Sequence, residues 1–449
     1  MTNLIVEVSK YLMILLMAIY TYANFRFFSF PDLERKRKVC ARQNRAMFLL
    51  HFLAYVVMYL KTEDETLRRM LLVFYIGQVV FFLLYIYIYR FIYRNVSRLL
   101  VNNCCMLLAC GFIMLTRLSL DKGLDKAFKQ FVIVAAAAIL SWLVPFIMER
   151  FWQLYKFQWL YGGIGLAALL LVWVAGNESF GAQLSLTVGG ISIQPSEFVK
   201  ISFVFFVASM FYQSLDFKNI CITTVVAALH VVILVLSKDL GSALIFFVSY
   251  VVMLFIATGN WLYLIAAGIL GKGATSIAYA LFDHVRRRFT AWKNPWADID
   301  NTGYQITQSL FAIGSGSWFG MGLLKGNPTA IPYVEADFIF SSICEELGVI
   351  FGICLILICV SSFLEMMRVA VCIHDRFYQL IVYGIGIMYI FQIFLTIGGG
   401  TKFIPLTGVT LPFISYGGSS VMTTMIMFFI IQGIYIRLQK EGERRGGRK

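Results

Sequence analysis

The chain has 449 residues, 60% of them hydrophobic and only 14% charged, against roughly one quarter charged in an ordinary soluble domain. That deficit excludes a water-soluble globular protein, because apolar surface on this scale has to be hidden by lipid. The net charge of +14 does not signal nucleic acid, since the basic residues cluster in short loops between greasy runs. A β-barrel is excluded because the runs are too long and do not alternate.

In chain order, apolar runs long enough to cross a bilayer as helices predict about thirteen spans, at 6–27, 45–60, 70–93, 99–117, 129–148, 157–176, 195–214, 219–236, 241–258, 260–282, 337–363, 378–398 and 411–437. The expected fold is all-α, a polytopic transmembrane helical bundle. Residues 1–94 form a three-span extension rich in Tyr, Phe and Leu, 95–440 a core, and 441–449 a basic tail. The basic loops after the first and third spans (Arg35, Lys36, Arg37, Lys38; Arg90, Arg94, Arg98) and the tail belong inside by the positive-inside rule. The C-terminus is then cytoplasmic, and the N-terminus and the long polar stretch 283–336 are outside. No signal-peptide cleavage pattern follows the first run. The nine cysteines lack metal-ligand spacing and read as packing residues. No Walker loop occurs, and no internal repeat supports a transporter built from repeated halves.

Five segments carry chemistry. In Gln194-Pro195-Ser196-Glu197-Phe198-Val199-Lys200, Pro195 suits a first helical turn, and Glu197 and Lys200 share one helix face. They form either an interfacial ion pair or a wall of a substrate groove. Ser237-Lys238-Asp239-Leu240-Gly241 is a short outer turn in which Asp239 caps the next helix, or lines a cavity together with Lys238. The stretch 283–336 carries Arg286, Arg287 and Arg288 and a short membrane-surface helix over Gln305–Ile313, including Ser309, broken by Gly314-Ser315-Gly316-Ser317. Glycine-rich backbone beside those cations suits an anionic, partly apolar ligand.

The stretch ends in Asp337, at the border of the next apolar run. An acid there sits where water, a membrane-held substrate and a helix end meet, and serves as a helix cap or as a base. Glu345 and Glu346 follow within the same run. At that depth each costs about 2.5–3.5 kcal/mol and is expected to be paired, protonated or facing a wet cavity. Last, Lys402 through Ser420 carries Pro405, Pro412 and Ser415-Tyr416-Gly417-Gly418. Irregular backbone of this kind is tolerated at membrane depth only when buried in protein or lining a cavity.

These segments, in this order, resemble the SEDS family (shape, elongation, division and sporulation; the FtsW/RodA/SpoVE type). Gln194–Lys200, Asp239-Leu240-Gly241, Gly303–Gly316, Asp337-Phe338-Ile339-Phe340 with Glu345-Glu346-Leu347-Gly348, and above all Thr407–Ser420 carry the match, over roughly 95–440. The family has ten spans, so the first three here are an addition.

The resemblance implies a peptidoglycan glycosyltransferase. It would polymerise lipid II, an undecaprenyl-pyrophosphate-linked disaccharide pentapeptide, into nascent glycan strands at the outer face of the bacterial cytoplasmic membrane. A class B penicillin-binding protein would work beside it, in division, elongation or sporulation. The family's essential carboxylate falls on Asp337, which as general base would take the proton of the attacking sugar hydroxyl. Lys238, Arg286–Arg288, Lys402 or a divalent cation (Mg or Mn) would meet the charge of the leaving pyrophosphate. With no cage of acids evident, such an ion would lean on the substrate phosphates.

Three departures point to altered substrate contacts or to a weakened enzyme, one of them Gln183-Leu184-Ser185 in place of the family's Arg/Trp after Gly-Ala. Pro332-Tyr333-Val334-Glu335-Ala336-Asp337 replaces the usual Pro-Glu-Ala-His-Thr-Asp, and Ser237-Lys238-Asp239-Leu240-Gly241 replaces Gln-Pro-Asp-Leu-Gly. Two other readings stand beside the polymerase. One is a lipid II flippase using Glu197, Glu345 and Glu346 as a polar path; the other is a scaffold that recruits the cross-linking enzyme.

Overall fold

A computed structural model describes residues 2–446 except 152, 180–181 and 189–190. Its α-helices are α1 Thr2–Ser29, α2 Leu33–Lys61, α3 Glu65–Ile92, α4 Arg98–Ser119, α5 Asp125–Arg150, α6 Gln158–Ala175, α7 Pro195–Gln213, α8 Phe217–Leu236, α9 Leu240–Thr258, α10 Trp261–Leu281, α11 Asp283–Lys293, α12 Tyr304–Gly316, α13 Ile339–Leu347, α14 Val349–Val371, α15 Arg376–Gly400 and α16 Gly418–Gly446. Twelve of these, all but α2 and α11–α13, are long and apolar enough to cross a membrane. The span expected at 45–60 is helical within α2, whose first half carries charges from Glu34 to Arg45, so that only 46–60 is an apolar run.

The run expected as one span at 337–363 is two helices. Gly348 breaks it with φ 91°, a conformation that side chains resist. A side chain there would also strike the Trp318 carbonyl, because an added Cβ would lie 2.5 Å from that oxygen. The final span starts at Gly418 rather than 411, and α16 continues to Gly446 through the residues expected as a separate tail. A small antiparallel sheet joins α6 to α7: β1 Asn177–Ser179, β2 Ala182–Val188 and β3 Ile191–Ile193, with Leu186 opposite Ile193 and Val188 opposite Ile191. The sequence reading did not foresee it, because its strands are too short to stand out beside runs of twenty apolar residues.

The chain forms two compact units. The first comprises Met1–Trp142, Thr290–Glu365 and Thr396–Gly417. At its centre lies α4, buried along its length, as a helix apolar on every side must be. Helices α1, α2 and α3 pack in sequence, and α2 and α3 both cover α4. Polar side chains stitch them together. Asn102 on α4 donates to Gln43 Oε1 (2.9 Å) and the Cys40 carbonyl (3.0 Å), and accepts from Arg90 (2.9 Å). Gln43 in turn donates to Asn24 (3.0 Å). Asn103 accepts from Tyr20 (3.1 Å) and donates to Ser361 and Ser362 (2.9 and 3.0 Å). The extension is therefore part of the first unit, although its sequence offered no distinctive polar motif.

The second unit comprises Leu143–Phe289, Met366–Leu395 and Gly418–Lys449. In it α7 packs against α6, α8, α9 and α16, while α10 rests on α9 and buries none of its own residues. A helix so apolar and so uncovered is one that lipid surrounds.

Candidate active site

Asp337 belongs to the first unit. The segment leading to it is held down by apolar anchors: Ile331, Val334 and Phe338 are buried with Ala312, and Leu118 and Leu406 pack against them. Between the anchors, Tyr333 is exposed in a left-handed turn (φ 58°), and Glu335 and Asp337 are half-buried. Phe338 is the N-cap of α13, so Asp337 stands just outside the helix instead of opening it.

The segment is pinned from two sides. The Ser415 hydroxyl donates to the Ala336 carbonyl (2.5 Å), and the Tyr416 amide donates to the Glu335 carbonyl (2.7 Å). Lys126, in the first turn of α5, forms an ion pair with the Glu335 carboxylate. Burial works to raise the Glu335 carboxyl, but the Lys126 hydrogen bond and charge hold it below its ordinary value. The pinning segment, 411–417, is itself fixed. Ser415 Oγ accepts the Leu411 amide (2.8 Å), Gln130 donates to the Ser415 carbonyl (3.3 Å), and Gln130 Oε1 accepts the Gly417 amide (3.2 Å). Helix α4 backs it at Gly111, where an added Cβ would lie 2.8 Å from the Phe413 carbonyl oxygen. Lys126 and Gln130 were not foreseen: in sequence they are one cation and one amide at the edge of a span. Their only signal is that both lie one side of α5, four residues apart.

Below Asp337 each of the two acids has one carboxylate oxygen bonded and the other buried without a hydrogen bond. Glu346 pairs with Arg117 at the end of α4 (2.8 Å), and Glu345 accepts the Asn327 amide (2.8 Å). The expected helix over 305–313 is α12, longer by four residues and turned so that Ile306, Ser309, Ala312 and Gly316 are buried. Gly316 packs on α13, where an added Cβ would lie 2.1 Å from the Cys344 carbonyl oxygen, and so the chain leaves the helix at Ser317 instead. Ser309 is fully buried, bonding Ser341 (2.6 Å) and the Gly400 carbonyl (2.7 Å), so it acts as an internal tie. Gln305 is half-exposed on the first turn of α12. Lys402 adopts φ 59°, and its carbonyl accepts the Trp292 indole N–H (3.1 Å).

The remaining expected residues lie in the second unit. Lys200 is wholly buried and donates to both Glu197 oxygens (2.9 Å each) and to Gln392 (2.8 Å). Asp239 caps α9 through the Ser242 amide (3.0 Å) and accepts from Ser196 (3.2 Å), joining the two motifs that the sequence set apart. Lys238 beside it is exposed, with φ 65°. Arg286 and Arg287 are exposed on α11, and Arg286 pairs with Asp283 (3.6 Å). Burial first, then the charges of Arg288 and Lys238, hold the His284 imidazole below its ordinary value. Gly418 starts α16, and next to it Ser419 Oγ accepts the Gln194 amide (3.0 Å).

Among the described residues no group of three or more His, Cys, Asp or Glu gathers to hold a metal ion.

The fold and these motifs define a multi-pass membrane protein of helical-bundle architecture. The chain belongs to the FtsW/RodA/SpoVE family of cell cycle proteins, whose pattern matches residues 97–440. It is 30% identical to the peptidoglycan glycosyltransferase RodA of Mycobacterium tuberculosis (strain H37Rv), covering 75% of this chain and 77% of that one. It is 33% identical to the probable peptidoglycan glycosyltransferase FtsW of Escherichia coli O157:H7, covering 74% and 85%. Its fold matches a chain from a peptidoglycan synthase complex that coordinates polymerization and crosslinking (TM-score 0.65, 23% identity, 76% of this chain and 98% of that one). It also matches the rod shape determining protein RodA of Thermus thermophilus (TM-score 0.58, 23% identity, 76% and 96%). Helices α1–α3 lie outside the family match.

Proposed function

We propose that this protein is a peptidoglycan glycosyltransferase that polymerises lipid II, with Asp337 as the general base. The observation that carries the assignment of Asp337 is its setting: half-buried, outside the helix cap, on a segment pinned through Glu335 and Ala336. A base must be held within hydrogen-bond reach of the hydroxyl it serves, and this pinning fixes the two residues that precede it. Asp337 takes the proton of the acceptor hydroxyl as that oxygen bonds the donor's anomeric carbon. The bond from that carbon to the pyrophosphate breaks, and its electron pair leaves with the pyrophosphate. Such a single displacement inverts the carbon, as in inverting glycosidases with a sugar hydroxyl in place of water. Cations meeting the pyrophosphate would stabilise the departing charge.

A class B penicillin-binding protein is the proposed partner, supported by the likeness to a chain of a synthase complex. The proposed topology has the N-terminus and the stretch 283–336 outside; the Glu7–Lys325 ion pair (3.4 Å) supports a common side for the two. The flippase reading is less well supported. Glu197, Glu345 and Glu346 each bond close neighbours, which is the pattern of internal bracing rather than of a polar path.

The test is made on the purified chain in detergent with lipid II and a divalent cation, with and without a class B partner. Asp337→Asn should abolish glycan ladders, a loss of at least about 100-fold, with thermal unfolding unchanged. Full ladders from Asp337→Asn would sink the assignment of Asp337. Absence of ladders from the wild type, with the partner present and the fold verified, would favour the scaffold.

A further inference from the structure

The first turns of α1, in the extension that the family match omits, reach the loop that closes the far end of α13. Glu7 pairs with Lys325 (3.4 Å) and with Lys10 of its own helix (3.2 Å). Lys10 Nζ also donates to the Gly320 carbonyl (3.3 Å), and the Tyr11 ring meets Phe319 with centroids 5.6 Å apart. One ion pair, one cation-to-carbonyl bond and one ring contact thus hold a single short loop.

That loop is coupled to α13 through backbone. The last carbonyls of a helix lack partners within it, and here the loop supplies them. The Met321 amide donates to the Glu345 carbonyl (2.9 Å) and the Gly322 amide to the Glu346 carbonyl (2.8 Å). In return, the amides of Val349 and Ile350 donate to the carbonyls of Ser317 and Trp318 (3.0 and 3.2 Å). The approach leaves no slack: a Cβ added at Gly320 would lie 2.4 Å from the Glu346 carbonyl oxygen. Arg117 adds a side-chain bond from α4, donating to both Glu346 (2.8 Å) and the Gly326 carbonyl (3.2 Å). Helix α13 is a rod of nine residues, and its other end begins two residues after Asp337.

We propose that the N-terminal end of α1 is a positioning clamp, in which Glu7, Lys10 and Tyr11 hold the loop 317–325, and through it α13, so that Asp337 stays in its working position. The inference rests on Asp337 as the base. It makes the extension a contributor to turnover rather than only a lipid-facing addition.

The test reverses one charge and then restores the pair. Glu7→Lys sets a third lysine against Lys10 and Lys325, and Glu7→Lys with Lys325→Glu rebuilds an ion pair of opposite polarity. In full-length protein, Glu7→Lys is expected to lower kcat for lipid II polymerisation about three- to tenfold, in the range of coupling through a packed network. The expected KM and melting temperature are those of the wild type, and the double variant should recover most of the loss. Wild-type kcat in Glu7→Lys, a loss that follows the melting temperature, or no recovery in the double variant would overturn the clamp. Asp337→Asn measured in parallel separates the two ideas: activity retained there overturns the base assignment and with it the route through Asp337, whatever Glu7→Lys does.

Discussion

The Ser415 hydroxyl donates to the carbonyl of Ala336, the residue before Asp337, at 2.5 Å, while the same oxygen accepts the Leu411 amide at 2.8 Å. Ser415→Ala would leave both backbone groups short of a partner in a buried place, at about 1–3 kcal/mol. Turnover should fall by about tenfold or more, since small misplacements of catalytic groups are costly. Ser415→Thr, which keeps the hydroxyl, should recover part of the loss. Polymerisation rates of the two variants beside their melting curves check this.

Gly111→Ala pushes on the same segment from behind. Its Cβ would meet the carbonyl oxygens of Phe413 and Ile414 at 2.8 and 2.9 Å, both main-chain atoms that cannot rotate away. We expect polymerisation to drop more than stability does, because the segment can shift as a body while α4 stays packed. Equal loss in both measurements would mean that the segment does not transmit the push.

The Lys126–Glu335 pair sets a pH and salt dependence. Its partners are partly exposed, so the pair contributes about 0.2–1 kcal/mol. Because the folded Glu335 carboxyl titrates below its unfolded value, its contribution is present above that unfolded value of 4.5 and is lost as pH falls through the lower, folded one. Melting temperature measured from pH 7 down to 3 should therefore fall less steeply in Glu335→Gln than in the wild type. High salt should weaken the wild type and leave Lys126→Met little changed.

Arg117 and Glu346 form a pair with almost no solvent access. Arg117→Met strands a buried carboxylate and should cost about 3–5 kcal/mol, while Arg117→Met with Glu346→Gln should recover much of it. Thermal unfolding of the single and double variants decides between a bracing pair, which recovers, and a role in transport, which would not.

The spans were legible in the sequence because lipid imposes long apolar runs, and the motifs were legible because polar residues at membrane depth have few tolerable uses. What escaped was pairing across the chain. Lys126 and Glu335 are separated by 209 residues, and neither is unusual where it stands. Gly348 looked like one more glycine in a greasy run; only the carbonyl of Trp318 against it makes it a break. Ser309 read as a substrate contact because it sits in a motif, yet the buried face of α12 is set by α13 and the end of α15, which no local periodicity records. The extension offered no polar motif because Asn24, Gln43, His51 and Gln78 are scattered one to a helix turn and meet only when the helices pack.

The amide stitching through α4 has a consequence for how the chain is made. The first three helices enter the membrane carrying side chains whose partners on α4 have not yet been synthesised, and Asn103 in turn must wait for Ser361 and Ser362, more than 250 residues later. Early intermediates therefore hold polar groups in hydrocarbon with only provisional company, a state that insertion machinery or neighbouring helices have to shelter. By the same logic a gene trimmed to begin at α4 would strip Asn102 of Cys40, Gln43 and Arg90 and Asn103 of Tyr20, so the addition, once acquired, is hard for a lineage to discard.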